Sequence, residues 1–202
     1  MNMQSKPHNC APAAFVRALV LTLVALGTLS ACGKREIRFT EEVELASGEV
    51  IKVDRRVMAA PLGEVGGPGG WKPKYMSFEV IDPKRPENPP KWESEIGLLP
   101  ILFDRDPDNG EWTLLATYYT CDVWTAIGRP KLPYAEFRVR DGQWRGVALS
   151  EKWLGRPANV LTHISSGGEP EFIALAAKRS RLPNPRAWSK YRSIDGSWKN
   201  RC

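Results

Sequence analysis

The chain has 202 residues, of which 42% are hydrophobic and 26% are charged, and its formal net charge is +6. This length is sufficient for one domain with its own hydrophobic core. The only two histidines, His8 and His163, exclude a histidine-rich metal cluster and the H-E-x-x-H zinc motif. The moderate positive charge is compatible with anionic partners but does not require them.

The N-terminal region has the pattern of a secretory signal. Lys6 and Arg17 precede an apolar run over residues 18–29, and no acidic residue lies in this part of the chain. A positive segment followed by a short apolar segment is typical of a signal peptide. The run is about a dozen residues long, whereas a membrane-spanning helix needs roughly 20.

The apolar run ends in Leu29-Ser30-Ala31-Cys32, a stretch that resembles the lipobox of bacterial lipoproteins. In that class, cleavage falls immediately before the cysteine, and its thiol receives diacylglycerol. The new amino terminus usually takes a further acyl chain. The resemblance therefore implies that Cys32 is acylated and that it anchors the protein in a lipid bilayer, since two or more acyl chains give stable membrane attachment.

The same resemblance predicts the domain organisation and the location. Residues 1–31 would be removed as a signal peptide, and residues 32–202 would form a single β-rich domain. Gly33, rather than an aspartate, follows the lipidated cysteine, which in Gram-negative lipoproteins implies transfer to the outer membrane. We therefore expect a lipid-anchored protein of the cell envelope whose domain faces the periplasm.

If the protein is exported, only two of the four cysteines remain available for a disulfide. Cys10 leaves with the signal and Cys32 takes the lipid, so Cys121 and Cys202 remain in an oxidising compartment. We expect these two to form a disulfide. The alternative is a buried free thiol at Cys121 and a frayed terminal cysteine.

The remaining sequence alternates between apolar and polar residues in short runs, which predicts about eight antiparallel strands. Asp141-Gly142 and Asn109-Gly110 are typical of tight hairpin turns. The predicted strands cover residues 37–45, 50–57, 76–80, 98–103, 113–120, 137–139, 147–149 and 159–164.

Two Gly/Pro-rich segments, residues 61–74 and 82–95, are predicted loops. The one predicted helix covers residues 169–181, with acidic residues in its first turn and basic residues in its last. We therefore expect a mainly β fold, either an antiparallel sandwich or a partly open barrel with one C-terminal helix.

Alternating aspartates at Asp104, Asp106 and Asp108 are similar to the start of an EF-hand calcium loop. The sixth position holds asparagine instead of glycine, and the twelfth is Leu115 where a bidentate glutamate is needed. A hairpin turn explains the segment better, and we expect no metal site and no cofactor.

His163 is the one histidine outside the signal region, so a hydrolase would have to use it. Ser165 and Ser166 follow closely, but no G-x-S-x-G elbow is present. Serines after a strand are more often turn or helix-cap residues. We therefore assign no catalytic residue and keep a hydrolase using His163 as the least favoured alternative.

Two regions are candidates for binding. The first is the glycine-rich loop that carries Trp71, because loops often bind ligands. The second is the C-terminal basic tail, in which aromatic and basic residues are interleaved in a pattern suited to stacking and to anion pairing. Its candidate residues are Arg186, Trp188, Lys190, Tyr191 and Arg192.

For an exported, anchored protein the reachable partners of this tail are peptidoglycan, lipopolysaccharide or an acidic protein, and we expect no nucleic-acid partner. The alternative is a solvated tail whose aromatic side chains pack back onto the sheet. The favoured function is therefore a non-catalytic binding or structural role in the envelope. A periplasmic immunity or inhibitor protein against a toxin or hydrolase is the second hypothesis.

The anchor can be tested by metabolic labelling with palmitate. The wild-type chain should incorporate the label, and Cys32→Ser should not, because the thiol that accepts the diacylglycerol is missing. Cys10→Ser is the matched control and should be labelled normally. Labelling that persists in Cys32→Ser would contradict the lipoprotein prediction.

Overall fold

The computed structural model of the protein describes residues 35–62, 70–82, 87–165, 168–182, 188–199 and 202. The lipobox and Cys32 lie outside the described residues, as does Arg186. Among the described residues, no helix is both long and apolar enough to cross a lipid bilayer.

Two packed sheets form the fold, which confirms the prediction of a mainly β protein. The first sheet has five strands in the order β4-β3-β2-β1-β9, and the second has four in the order β5-β6-β7-β8. The two sheets form a sandwich, and the described strands do not close into a barrel. In chain order the strands are β1 (Arg35–Glu44), β2 (Val50–Leu62), β3 (Gly70–Val80), β4 (Trp92–Ser94), β5 (Leu99–Arg105), β6 (Trp112–Thr117), β7 (Tyr134–Arg140), β8 (Gln143–Val147) and β9 (Phe172–Ile173).

In the part of the chain that the structure describes, two short α-helices accompany the sheets: α1 (Cys121–Ala126) and α2 (Leu175–Arg181). Short 3₁₀ turns cover Glu151–Trp153 and Ser189–Tyr191. Residues 155–158 and 192–194 run beside each other, joined by backbone hydrogen bonds such as Ala158 N–H to the Arg192 carbonyl at 2.8 Å.

Three hairpin turns are present, and those at Asn109-Gly110 and Asp141-Gly142 were predicted. Residues 45–49 join β1 to β2, residues 106–111 join β5 to β6, and residues 141–142 join β7 to β8. Asp141 and Gly142 both have positive φ, 52° and 69°. This is the backbone that a two-residue type I′ turn needs, and Asp-Gly supplies it.

Several predicted boundaries were wrong. The helix begins at Leu175 rather than at residue 169, because residues 171–173 pair with β1 instead: the Thr40 N–H donates to the Glu171 carbonyl at 2.8 Å. The resulting strand β9 is parallel to β1, whereas every predicted strand was antiparallel. Residues 159–164 form no strand.

The predicted loops also contain regular structure. Residues 61–62 and 70–74 belong to the long β2–β3 hairpin, and Trp92–Ser94 forms β4 within the second loop. Helix α1 is additional to the one helix predicted, which covered residues 169–181. Proline and glycine misled the prediction here, because Pro61 and Pro73 are tolerated at the irregular outer end of the hairpin, next to a register shift.

The core between the sheets is rich in aromatic residues. Phe78 of β3 and Phe103 of β5 bring their ring centroids to 4.7 Å across the sandwich, and Trp112 stacks on Phe103 at 5.0 Å. Strands β5 and β6 are buried on both faces, because the C-terminal segments cover their outer side with Trp153 and Ile194. This explains why residues 98–103 are continuously apolar.

A charged cluster lies within this core. Glu41 of β1 and Arg55 of β2 occupy inward positions of their strands, and together with Lys178 of α2 they are completely buried. Arg55 Nη1 donates to Glu41 Oε1 at 2.6 Å, and Lys178 Nζ donates to Glu41 Oε2 at 2.9 Å. The Leu161 backbone N–H also donates to Glu41 Oε2, at 3.0 Å.

The cations of this cluster have further partners. Lys178 Nζ donates to the Asn159 carbonyl at 2.6 Å. The Arg55 guanidinium lies over the rings of Phe39 and Phe78, with its carbon 5.6 and 5.7 Å from the two centroids. Burial lowers the pKa of Lys178 below its usual range, although the Glu41 carboxylate opposes this change. One carboxylate therefore joins two strands, a helix and the segment around Leu161.

Replacing Glu41 with glutamine should lower the free energy of unfolding by about 3–5 kcal/mol, because two buried cations would lose their counter-charge. Glu44→Gln is the matched control. This substitution removes the ion pair between Glu44 of β1 and Arg179 of α2, which is 2.6 Å long and has both side chains partly exposed. The free energy of unfolding should fall by less than about 1 kcal/mol. Urea unfolding measures both variants, and equal losses would contradict this account.

Candidate functional site

The C-terminal aromatic residues pack together around Lys190. The 3₁₀ turn Ser189–Tyr191 directs the Lys190 side chain inward, where only 1% of the residue is exposed. Its Nζ donates to the Tyr118 carbonyl at 2.9 Å and lies 3.9 Å from the centroid of the Tyr118 ring. The rings of Trp188, Tyr191 and Trp198 lie 4.9–5.5 Å from the same atom.

This arrangement removes Lys190 from the predicted set of surface binding residues. Its ammonium group is enclosed by aromatic faces, which attract a cation through the ring quadrupole. The position holds the tail against the strand-end residue Tyr118, and it cannot reach a ligand. The packing around Lys190 agrees with the alternative in which the tail packs back onto the sheet.

The predicted disulfide between Cys121 and Cys202 is present, with a Cα–Cα distance of 5.4 Å. It joins residue 202 to the start of α1. The Cys202 sulfur lies 3.9 Å from the Tyr118 hydroxyl. The bond thus fixes residue 202 beside the same ring that covers Lys190.

Several aromatic rings on the outer side of this packing form one surface. Tyr119 and Tyr191 have ring centroids 5.7 Å apart, and Trp188 stacks on Tyr191 at 6.2 Å with an interplanar angle of 10°. Trp198 adjoins Trp188 at 5.8 Å. We call Trp71, Tyr119, Trp188, Tyr191 and Trp198 the aromatic surface.

Trp71 joins this surface through a small cavity of about 310 Å³. Trp71 and Tyr119 both line the cavity, together with apolar side chains from the open end of the sandwich. Thr162, His163 and Ser165 supply a polar wall. The volume is at the small end of the range for ligand pockets in proteins.

The rings of this surface are unusually accessible for their size. Trp188 is 53% exposed, Tyr119 is 44% exposed and Trp71 is 36% exposed. They come from β3, from the segment after β6, and from the C-terminal tail, so three separate parts of the chain contribute to one area. Grouped exposed aromatics of this kind are typical of interaction sites.

Several cations lie near members of the aromatic surface, in space or in sequence. The Arg35 guanidinium lies over the Trp71 ring at 5.9 Å. Lys72 forms an ion pair with Asp122 of α1, which lowers the pKa of that carboxyl to about 2. Arg192 and Lys199, next in sequence to Tyr191 and Trp198, are exposed.

The two predicted binding regions are thus one region. From the sequence, Trp71 and the tail were separate candidates. In the structure Trp71 lines the same cavity as Tyr119, and the Tyr119 ring contacts Tyr191, which stacks with Trp188. Sequence reasoning missed Tyr119. The available signal was the Tyr118-Tyr119 pair at the end of β6, since adjacent residues of an extended chain point to opposite sides.

The alternating aspartates are engaged by cations and backbone groups. Arg156 donates to Asp104 at 2.8 Å, and Lys152 pairs with both Asp106 and Asp108, at 2.5 and 2.7 Å. Within the part of the chain that the structure describes, no cluster of three or more His, Cys, Asp or Glu side chains is arranged to hold a metal ion.

His163 is exposed on the wall of the cavity, and its carbonyl accepts a hydrogen bond from Arg181 at 3.3 Å. Ser166, one of the two serines considered with it, lies outside the described residues. Comparison of the chain with protein families, with curated proteins and with solved structures finds no match.

The enclosure of Lys190 predicts a dependence of stability on pH. Burial lowers the pKa of Lys190 to about 8, while the same lysine in the unfolded chain keeps its usual value near 10.4. Between these values the unfolded chain binds a proton that the folded protein does not. The free energy of unfolding should therefore rise with pH, by about 1 kcal/mol per unit between about pH 8 and about pH 9.5.

Lys190→Met should remove the part of this rise that Lys190 contributes and so reduce the slope, because the side chain no longer titrates. Lys199→Met, which removes an exposed lysine, is the control and should keep the wild-type slope. Chemical unfolding at several pH values measures the effect. An unchanged slope in Lys190→Met would contradict it.

Proposed function

We propose that the protein is a lipoprotein of the bacterial cell envelope that is anchored through acylated Cys32 and binds its ligand without catalysis. The lipobox at Leu29-Ser30-Ala31-Cys32 supports the anchor. Gly33 supports the outer membrane as the site of attachment, with the domain on the periplasmic side. The aromatic surface supports the binding role, and it is the observation that carries this proposal.

The chemistry of this surface defines the ligand class. The faces of Trp71, Tyr119 and Trp188 can stack on apolar faces such as those of sugar rings. The neighbouring Arg35 and Arg192 can pair with phosphate or carboxylate groups. The ligand is therefore an anionic component of the envelope that also has apolar groups, a class that includes peptidoglycan, lipopolysaccharide and anionic phospholipid.

Retention of the detergent-solubilised lipoprotein on immobilised peptidoglycan and on lipopolysaccharide tests this function. Trp188→Ala and Tyr119→Ala should each weaken binding about thirtyfold, because a buried aromatic residue at the centre of an interface contributes about 2 kcal/mol. Phe172→Ala is the matched control. This ring has the same exposed fraction as Tyr119, 44%, but lies on β9 and lines neither the cavity nor the aromatic surface.

Two other outcomes identify the alternative functions. Stoichiometric binding of a secreted toxin or hydrolase, with neither polymer bound, would support the immunity or inhibitor hypothesis. Turnover of an envelope substrate that is lost in His163→Ala, while folding is retained, would support the hydrolase. Equal retention of all aromatic variants would contradict the role given to the aromatic surface.

A further inference from the structure

The aromatic surface lies at the end of the sandwich where β1 begins. Arg35 is the first residue of β1 and pairs with Ala59 of β2. Trp71 pairs with Pro61, two residues further along β2. Trp71 is therefore about 7 Å beyond the level of Arg35, in the direction opposite to the course of β1.

The other members of the surface are at the same end. Strand β5 starts here, with Leu99 lining the cavity, and ends at the opposite end, where Asp104 accepts a hydrogen bond from the Ala46 N–H. Strand β6 returns antiparallel to β5 and therefore delivers Tyr118 and Tyr119 to the end occupied by Leu99. Tyr119 in turn contacts Tyr191.

The connection from this end to the proposed anchor is short. Only Gly33 and Lys34 separate Cys32 from Arg35. Three residue steps span at most about 11 Å, even when the chain is fully extended. An acyl group on Cys32 would therefore hold Arg35, at this end of the domain, within about 11 Å of the lipidated residue.

We propose that the aromatic surface lies on the bilayer itself, in the headgroup layer of anionic phospholipids. This inference rests on the proposed lipid anchor and names the partner of the same surface. Tryptophan and tyrosine favour the membrane–water interface, because their rings are apolar and carry one polar group. The acyl anchor and the protein surface are then two parts of one attachment.

Charge complementarity supports a phospholipid surface as the occupant. Three cations lie next to members of the aromatic surface, in space for Arg35 and in sequence for Arg192 and Lys199. A basic side chain near an anionic membrane contributes about 1 kcal/mol. At the opposite end of the sandwich the exposed acid Asp108 and the buried Asp106 both pair with Lys152.

The short connection between Cys32 and Arg35 also favours the bilayer over peptidoglycan as the partner of the aromatic surface. Because Arg35 is held within about 11 Å of the lipidated residue, the rings at the same end of the sandwich lie on the side of the domain that is tied to the membrane. Peptidoglycan would require the domain to turn over on a connection of two residues. Phospholipid is therefore the partner that this geometry favours.

The experiment uses the full processed lipoprotein reconstituted in vesicles that contain phosphatidylglycerol and a lipid brominated near the headgroup. Bromine quenches nearby tryptophan fluorescence. The wild-type protein should be quenched, and the double variant Trp71→Phe/Trp188→Phe should lose at least half of the quenching. Trp144→Phe is the control, because Trp144 follows the β7–β8 turn at the opposite end of the sandwich, and its removal should leave the quenching unchanged.

Flotation of the vesicles separates the two proposals. Protein that does not float with the vesicles lacks the anchor, and both proposals then fail. Protein that floats but shows equal quenching in wild type and in the double variant overturns the bilayer-facing surface alone. Quenching that is equal in phosphatidylcholine vesicles would overturn the part given to the anionic headgroups.

Discussion

The Glu41 carboxylate is the interaction on which the described structure most depends. It is completely buried, and it accepts hydrogen bonds from β2, from α2 and from the backbone at Leu161. The segment that follows Leu161 forms the polar wall of the cavity. A buried ion cluster adds little net stability compared with apolar packing, but the loss of one member is costly. Its effect here is to specify one position for the segment that completes the site.

Strand pairing and turn chemistry could be predicted from the sequence because they are local. The alternation in β1 and β2 and the Asp141-Gly142 turn each depend on neighbouring residues. The cysteine pair was also predictable, because exclusion of the two N-terminal cysteines leaves one combination. The fold class followed from these elements, as the two-sheet sandwich confirms.

The sequence could not predict what depends on distant partners. Residues 169–173 have a helical composition, but the free edge of β1 offers backbone groups that pair with Phe172 and Ile173. Lys190 has the sequence context of a surface residue, and only the folded tail encloses it. The aromatic surface is formed by three chain segments that are distant in sequence, and no local sequence pattern predicts that they lie together.

The position of Glu41 near the start of the domain has a consequence for the order of folding. Its partners Leu161 and Lys178 follow it by 120 and 137 residues. Its other partner, Arg55, is only 14 residues away in the same hairpin, so the β1–β2 hairpin by itself supplies one cation for this carboxylate. The other two donors can reach the carboxylate only when the C-terminal half of the chain packs onto this hairpin, so the cluster is completed by contacts that are very distant in sequence.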